Sequence, residues 1–146
     1  MTRPLTLDAS VFVSASNPAE AACAACRALM AAVHEREIPL IEPTLMPVEV
    51  AAAVRRALGD AMLARQFEQA VLGLPQLTLV ALEDGLMRQA AQMAMDHALR
   101  GADAVYVATA LRYGTVLVTL DAEQRARAPK SVRACTPAEA IRLIAT

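Results

Sequence analysis

Two acidic residues lie at opposite ends of a predicted helix-turn-strand unit spanning residues 101–121. Asp103 begins a helical pattern that runs to Tyr113, and Asp121 ends a β-branched apolar stretch that favours a buried strand. About 11 helical residues carry the chain out by ~16 Å, and about 6 strand residues bring it back by ~20 Å. We therefore expect Asp121 to lie near Asp103, at the carboxyl edge of a sheet, where open α/β folds bind ligands.

Two further acids fall where the same edge is expected. Asp8 follows a short apolar strand, and Glu49 lies in the second turn of a helix after the second strand. Each acid alone has an ordinary explanation as a helix-end charge, a turn residue or a solvated side chain. Four of them on one edge, without Lys or Arg within two positions in sequence, would repel one another unless a cation lay between them. Oxygen-only ligands favour Mg²⁺ or Mn²⁺.

The elements that must position these acids alternate between strand and helix along the whole chain. Strands are predicted at residues 4–7, 38–41, 77–81, 115–120 and 132–135. Helices are predicted at residues 18–37, 44–58, 61–72, 83–97, 102–113 and 136–144, with a loop at 14–17 and a polar segment at 122–131. This alternation predicts a single α/β domain, residues 1–146, with a parallel sheet and helices on both faces.

Composition narrows the class of protein. The net charge is -1 and the sequence pI is about 6.1, so the whole-molecule field gives no general attraction to nucleic acid. Three cysteines favour a reducing, cytoplasmic compartment over a disulfide framework. Cys23 and Cys26 form a CxxC in an Ala-rich helix without a second ligand pair, which favours core side chains over a zinc or redox site. No signal peptide or membrane span is expected.

The acids occur in short motifs that resemble the PIN-domain nucleases, and specifically the toxin subunits of VapBC toxin-antitoxin pairs. The motifs are LDAS at 7–10, PVEV at 47–50, GADAVYVATA at 101–110 and VTLD at 118–121. The resemblance implies a five-stranded parallel α/β/α sandwich. It also implies a Mg²⁺- or Mn²⁺-dependent endoribonuclease, a homodimer, and a small antitoxin protein whose tail occupies the groove. By the resemblance, the metal-binding and catalytic residues are Asp8, Glu49, Asp103 and Asp121, with the hydroxyls of Ser10 and Thr119 lining the site.

One segment departs from the family pattern. After Asp121 many relatives place a bulky apolar residue about three positions on, whereas this chain continues Ala-Glu-Gln-Arg. The path of residues 122–133 therefore stays open. Glu123 is either an additional acid of the site or an exposed loop charge.

Basic residues near the acids suggest contacts with RNA. We hypothesise that Arg100, Arg125 and Arg127 hold the phosphate backbone, with a solvated face as the alternative. Arg56 shares a helical face with Glu49 and is placed to meet substrate, an antitoxin carboxylate or water.

Met46 and Met62 are candidates for a homodimer interface. The main alternative function is a PIN-fold binding or regulatory module that acts through a partner protein and cleaves weakly. A phospho-acceptor receiver domain is disfavoured because Asp8 has no acidic neighbour and the only lysine is Lys130, in a loop.

Overall fold

A computed structural model describes residues 3–146. Within this range five strands form one sheet: β1 (Leu5–Leu7), β2 (Leu40–Pro43), β3 (Leu77–Val80), β4 (Val116–Val118) and β5 (Ala134–Cys135). Their order is β3-β2-β1-β4-β5, and every pairing is parallel. The strand order reverses between β1 and β4, and such a switch point is where open sheets bind ligands. The predicted five-stranded parallel sheet is confirmed.

Helices connect the strands and flank the sheet. They are α1 (Ala9–Ser16), α2 (Cys23–Glu35), α3 (Leu45–Leu58), α4 (Ala61–Leu72), α5 (Asp84–His97), α6 (Gly101–Tyr113), α7 (Ala122–Arg127) and α8 (Pro137–Ala145). The most buried helix, α6, packs on β1, β2 and β4 and is covered by α5. Its residues from Ala104 to Ala110 are all buried, as expected of a helix that is apolar on every side. No helix in the described part of the chain is long and apolar enough to cross a membrane.

Two short helices differ from the predicted elements, and both begin at an acid of the predicted site. The region expected to be a small apolar segment and a loop forms α1, and Asp8 caps it by accepting a hydrogen bond from the amide of Ser10 at 2.9 Å. The polar segment expected at 122–131 contains α7, capped in the same way by Asp121. The helix predicted from residue 18 begins only at Cys23.

The strands β1 and β2 separate towards their carboxyl ends. They are paired only at Leu5↔Leu40, whereas β1 and β4 stay in register along all of β1. A regular parallel ladder would next direct the amide of Leu7 to the carbonyl of Ile41. Instead that amide donates to Oε1 of Glu42 at 2.5 Å, and the Ile41 carbonyl accepts a threonine hydroxyl of β1 at 2.7 Å. A buried carboxyl group is therefore inserted between the two strands, next to the end of β1.

Candidate active site

A surface cleft opens at the carboxyl end of β1, between α1, α3 and α6. Its polar lining comes from Asp8, Ser10, Glu49, Arg56 and Asp103, and the remainder is small or apolar. Each acid is supplied by a different element: Asp8 ends β1, Glu49 comes from α3, and Asp103 comes from the first turn of α6. Three of the four predicted acids thus share one cleft. Asp121 does not line it but is close enough to Asp103 for its charge to raise the pKa of Asp103.

Three of these acids have one carboxylate oxygen held by the protein. Oδ2 of Asp8 accepts a backbone amide of α1 at 2.9 Å, and Oε1 of Glu49 accepts the hydroxyl of Tyr106 at 2.7 Å. Oδ1 of Asp121 accepts two backbone amides of α7, at 2.9 and 3.3 Å. The second oxygen of each accepts no hydrogen bond from residues 3–146. The carboxylates are therefore oriented, and each keeps one oxygen for a ligand.

Like charges and burial raise the pKa of the cleft acids. Burial, with added repulsion from Asp8 and Asp121, raises the pKa of Asp103 to about 6, and the guanidinium of Arg100 offsets only part of this. Burial also raises the pKa of Glu49; the hydroxyl of Tyr106 lowers it, and the charge of Asp8 raises it further. Arg56 and Arg100 do not balance the negative charge of the four acids, and a cation between the acids would relieve their repulsion.

The donor set fits a hard divalent cation but does not form a closed cage. Within residues 3–146, no three acidic, imidazole or thiol side chains are close enough to hold one metal ion together. Mg²⁺ does not require such a cage, because it keeps several waters and is commonly bound through one or two carboxylates. The oriented carboxylates with a spare oxygen, unneutralised by neighbouring lysines, therefore fit Mg²⁺ or Mn²⁺.

The two predicted hydroxyls lie in different positions. Ser10 lines the cleft, and its Oγ accepts the amide of Leu120 at 3.4 Å. Thr119 is fully buried, and its Oγ1 accepts the amide of Asp121 at 3.1 Å. Thr119 therefore holds the backbone at Asp121 and does not line the cleft.

The three arginines expected to hold RNA differ in how many hydrogen bonds and ion pairs they already form within the protein. Arg125 donates to the carbonyl of Thr119 at 2.8 Å. Arg127 donates to a carbonyl at the end of α5 and forms an ion pair with Glu123, both at 2.6 Å. Both arginines thus hold α7 in place, and Glu123 is paired rather than a spare acid. Arg100, with 80% of its side chain exposed and 4.0 Å from Glu123, is the most accessible of the three.

The sequence reasoning missed two residues next to the cleft. Tyr106 is completely buried and bonded to Glu49. Glu42 is also completely buried, and its Oε2 has no hydrogen-bond partner among the described residues. Burial raises the pKa of Glu42 well above its usual range; the amide of Leu7 opposes the shift, and the charge of Asp8 adds to it. An acid at the end of a strand was a signal for Glu42, as it was for Asp8.

The cysteines lie away from the cleft. Cys23, Cys26 and Cys135 are buried free thiols. Cys23 and Cys26 belong to the buried face of α2. Their position agrees with the expectation of small core side chains.

Comparison with known proteins adds a family and a set of similar structures. The PIN domain family matches residues 5–129. VapC20 of Mycobacterium tuberculosis, described as a sarcin-ricin loop cleaving toxin, has a TM-score of 0.73 and 17% identity, over 88% of this chain and 98% of that one. PAE2754 of Pyrobaculum aerophilum has a TM-score of 0.72 and 21% identity, over 99% and 91%. VapBC2 of Rickettsia felis, bound to a fragment of its promoter DNA, has a TM-score of 0.70 and 11% identity, over 90% and 97%.

A search of curated proteins finds no significant match. At these identities the structural similarity establishes a shared fold.

Proposed function

This chain belongs to the PIN-domain family of nucleases, and from this premise we propose that it is a Mg²⁺- or Mn²⁺-dependent endoribonuclease, the toxin of a VapBC-like pair. The observation that carries the proposal is the cleft in which Asp8, Glu49 and Asp103 meet from three separate elements. Burial, together with repulsion from the neighbouring acids, raises the pKa of Asp103 to about 6. The four acids outnumber Arg56 and Arg100, the arginines near them, and a bound cation would offset the remaining negative charge.

The chain's own residues have separable tasks in this reaction. One or two of Asp8, Glu49 and Asp103 would hold the ion directly through their spare oxygens, with waters completing its coordination and Asp121 beside Asp103. A bound divalent ion polarises a phosphodiester and lowers the pKa of water, so that the water becomes a competent nucleophile. The α1 amide and the Tyr106 hydroxyl keep two of the carboxylates in fixed orientations. No nucleophilic side chain of the protein is needed.

Arg56 is the basic side chain that lines this cleft, and we assign it to the phosphate backbone of the substrate. Its neighbour Arg55 lines a different surface depression, between α3 and α4. The position of Arg56 in the same cleft as the acids suits a guanidinium that contacts a phosphate adjacent to the cleaved bond. Arg100 is a second candidate because of its exposure.

Cleavage by the partner-free protein tests the proposal. Structured RNAs are incubated with the parent protein in Mg²⁺, in Mn²⁺ and in chelator, beside Asp103→Asn. We expect cleavage only with a divalent ion and a loss of roughly a hundredfold or more in the variant, since even outer-shell partners of metal ligands contribute 10- to 100-fold. Asp96→Asn, an exposed aspartate of α5, controls for the loss of one charge.

The same experiment separates the main alternative, a PIN-fold module that acts through a partner protein. That alternative predicts no metal-dependent cleavage by the parent on any RNA. Equal cleavage by the parent and Asp103→Asn would instead contradict the assignment of the site.

The proposal includes a small antitoxin, and an apolar groove between α1, α2 and α4 suits it. Its lining residues are Phe12, Ala15, Arg27, Met30, Phe67, Ala70, Val71 and Leu74. The groove has one charged residue, Arg27, which favours an amphipathic helix or tail with an acidic side chain near its apolar face. A similar fold occurs in VapBC2, whose name denotes a two-component system.

Phe67→Asp should abolish co-purification with the protein encoded by a short reading frame immediately upstream. Leu72→Asp, at an exposed position of the same helix, should leave it unchanged. Retained binding by Phe67→Asp would remove the groove from the interface.

The homodimer is also part of the proposal. Met46 is completely buried and cannot contribute to an interface, whereas Met62 is 67% exposed at the start of α4, beside Leu63 at 47%. Sedimentation of the partner-free protein tests the dimer.

A further inference from the structure

Tyr106 connects the core to the candidate site through its hydroxyl group. Its side chain is among the largest that are completely buried, in the hydrophobic core that also contains residues of β1, β2 and β4. The hydroxyl donates a hydrogen bond to Oε1 of Glu49, on α3, at 2.7 Å. Packing alone would be met by a phenylalanine ring, but a buried phenol hydroxyl needs a partner. The partner it has is a predicted metal ligand.

Tyr106 connects two of the cleft acids, Asp103 on its own helix and Glu49 on α3. It follows Asp103 by three residues on α6, so the two lie on neighbouring positions of one helical face. Helix α6 thus places Asp103 in the cleft directly. Through the hydroxyl of Tyr106 it also fixes the carboxylate of Glu49, which belongs to α3. Glu49 has a long side chain that is partly exposed, and without this bond its carboxylate would sample several rotamers.

We propose that Tyr106 is a positioning residue of the divalent-ion site, whose hydroxyl holds one oxygen of Glu49 so that the other is available at the cleft shared with Asp8 and Asp103. The inference rests on the proposed function because it concerns the same site. Outer-shell groups that orient metal ligands typically contribute 10- to 100-fold to metal affinity. Because Tyr106 is completely buried, it acts on the site through Glu49.

The test is the affinity of metal-free protein for Mn²⁺, measured by the loss of the free-ion electron paramagnetic resonance signal. Tyr106→Phe removes one oxygen atom, and we expect its affinity to fall by roughly tenfold. Tyr113→Phe is the matched control, because it is the chain's only other tyrosine, lies on the same helix and is 40% exposed. It should bind as the parent does. Circular dichroism and thermal unfolding confirm that the variants are folded.

A double-mutant cycle distinguishes positioning from general weakening of the fold. In a Glu49→Gln background the hydroxyl no longer orients a charged ligand, so adding Tyr106→Phe should change the remaining Mn²⁺ affinity by less than about twofold. Equal losses in both backgrounds would overturn the inference, as would parent-like binding by Tyr106→Phe. Failure of the parent itself to bind Mn²⁺ would overturn the metal site, and the inference with it.

A spectroscopic measurement tests the same contact should Tyr106→Phe fail to fold. The chain has no tryptophan and two tyrosines, so all tyrosine emission of Tyr113→Phe comes from Tyr106. A phenol that donates to a carboxylate is quenched by proton transfer in the excited state. Mg²⁺ drawn to Glu49 makes that carboxylate a weaker acceptor, so saturating Mg²⁺ should increase the emission. Unchanged emission would overturn the inference.

Discussion

The carboxylate of Asp103 is affected by the charges of all the other acids of the candidate site. It is partly buried, it faces the charges of Asp8, Asp121 and Glu49, and its pKa is raised to about 6. A raised pKa means that the folded protein binds this proton more readily than the unfolded chain does. Without a cation, the ionised form of Asp103 therefore destabilises the fold.

The first prediction follows from that sign. Asp103→Asn should increase the free energy of unfolding in chelator, because it removes a repelled charge. The gain should be absent below about pH 4, increase as the pH rises through 4 to 6, where only the unfolded chain releases the proton, and then remain constant. A pKa unit corresponds to about 1.4 kcal/mol, and partial solvent exposure reduces the effect, so we expect a gain of about 1–2 kcal/mol at pH 7.5.

Urea denaturation at pH 4 and pH 7.5 measures this gain, with Asp96→Asn as the control for removing an exposed charge. The variant that loses metal binding should thus be the more stable protein without metal. A destabilised Asp103→Asn at pH 7.5 would contradict the repulsion between the acids.

At the scale of elements, two acids both cap a helix and belong to the candidate site. Asp121 accepts two amides at the start of α7 through one oxygen, and Asp8 accepts one amide at the start of α1. The cap fixes the carboxylate relative to the strand end that precedes it. Capping and metal binding should therefore be separable by substitution.

Asp121→Asn and Asp121→Ala form the second prediction. Asparagine is as good an N-cap as aspartate, whereas alanine loses about 1 kcal/mol of cap stabilisation. We expect Asn to retain the stability of the fold within a few tenths of a kcal/mol and Ala to lose about 1 kcal/mol, while both weaken Mn²⁺ binding. Thermal unfolding and Mn²⁺ titration of the pair measure the two effects. Equal stability of the two variants would show that the cap of α7 contributes little.

The third prediction concerns Glu42, which is inserted between β1 and β2. Glu42→Gln keeps the acceptor oxygen for the amide of Leu7 and removes a group that ionises at a cost. Because burial raises the pKa of Glu42 well above its usual range, the stability of the parent should decrease as the pH rises above about 4.5. The variant should not share this decrease, so its advantage should grow with pH. Each unit by which the pKa is raised contributes about 1.4 kcal/mol.

Unfolding free energies of the two proteins at pH 4.5, 6 and 8 check this dependence. Glu42→Leu is an informative companion, because it leaves the amide of Leu7 without an acceptor. It should destabilise the protein at every pH. A constant difference between Glu42→Gln and the parent would mean that Glu42 does not ionise differently on folding.

The sequence was sufficient to predict the sheet and the clustering of acids, for a physical reason. Parallel strands end on the same edge, so an acid placed at a strand end or a helix start is located by strand direction alone, as Asp8 and Asp103 were. The short helix α7 was missed because its six residues, four polar and two alanines, have no apolar periodicity; only the capping acid marks its start. The contacts of Tyr106 with Glu49 and of Glu42 with Leu7 could not be predicted, because they depend on which groups lie opposite across the fold.

At the scale of the whole molecule, the net charge of -1 gives no general attraction to RNA. Any attraction must therefore come from local features. The acids of the cleft repel phosphate, so any gain must come from nearby arginines and from the ion itself. Two of the predicted arginines hold α7 through hydrogen bonds and an ion pair, which leaves them less able to bind a phosphate. Arg56 lies within the cleft, and Arg55 is next to it in sequence but outside the cleft.

The fourth prediction uses this pair of adjacent arginines. Arg56→Ala should weaken the binding of a structured RNA hairpin, measured in chelator to prevent cleavage, and should flatten its salt dependence. The loss of one phosphate contact reduces the slope of log affinity against log salt by about 0.7 to 1. Arg55→Ala removes the same charge and should leave the slope nearly unchanged, because it is exposed to solvent on another surface. Equal slopes for the two variants would mean that RNA affinity depends only on the net charge of α3. In that case the RNA backbone would not pass through the cleft beside the acids.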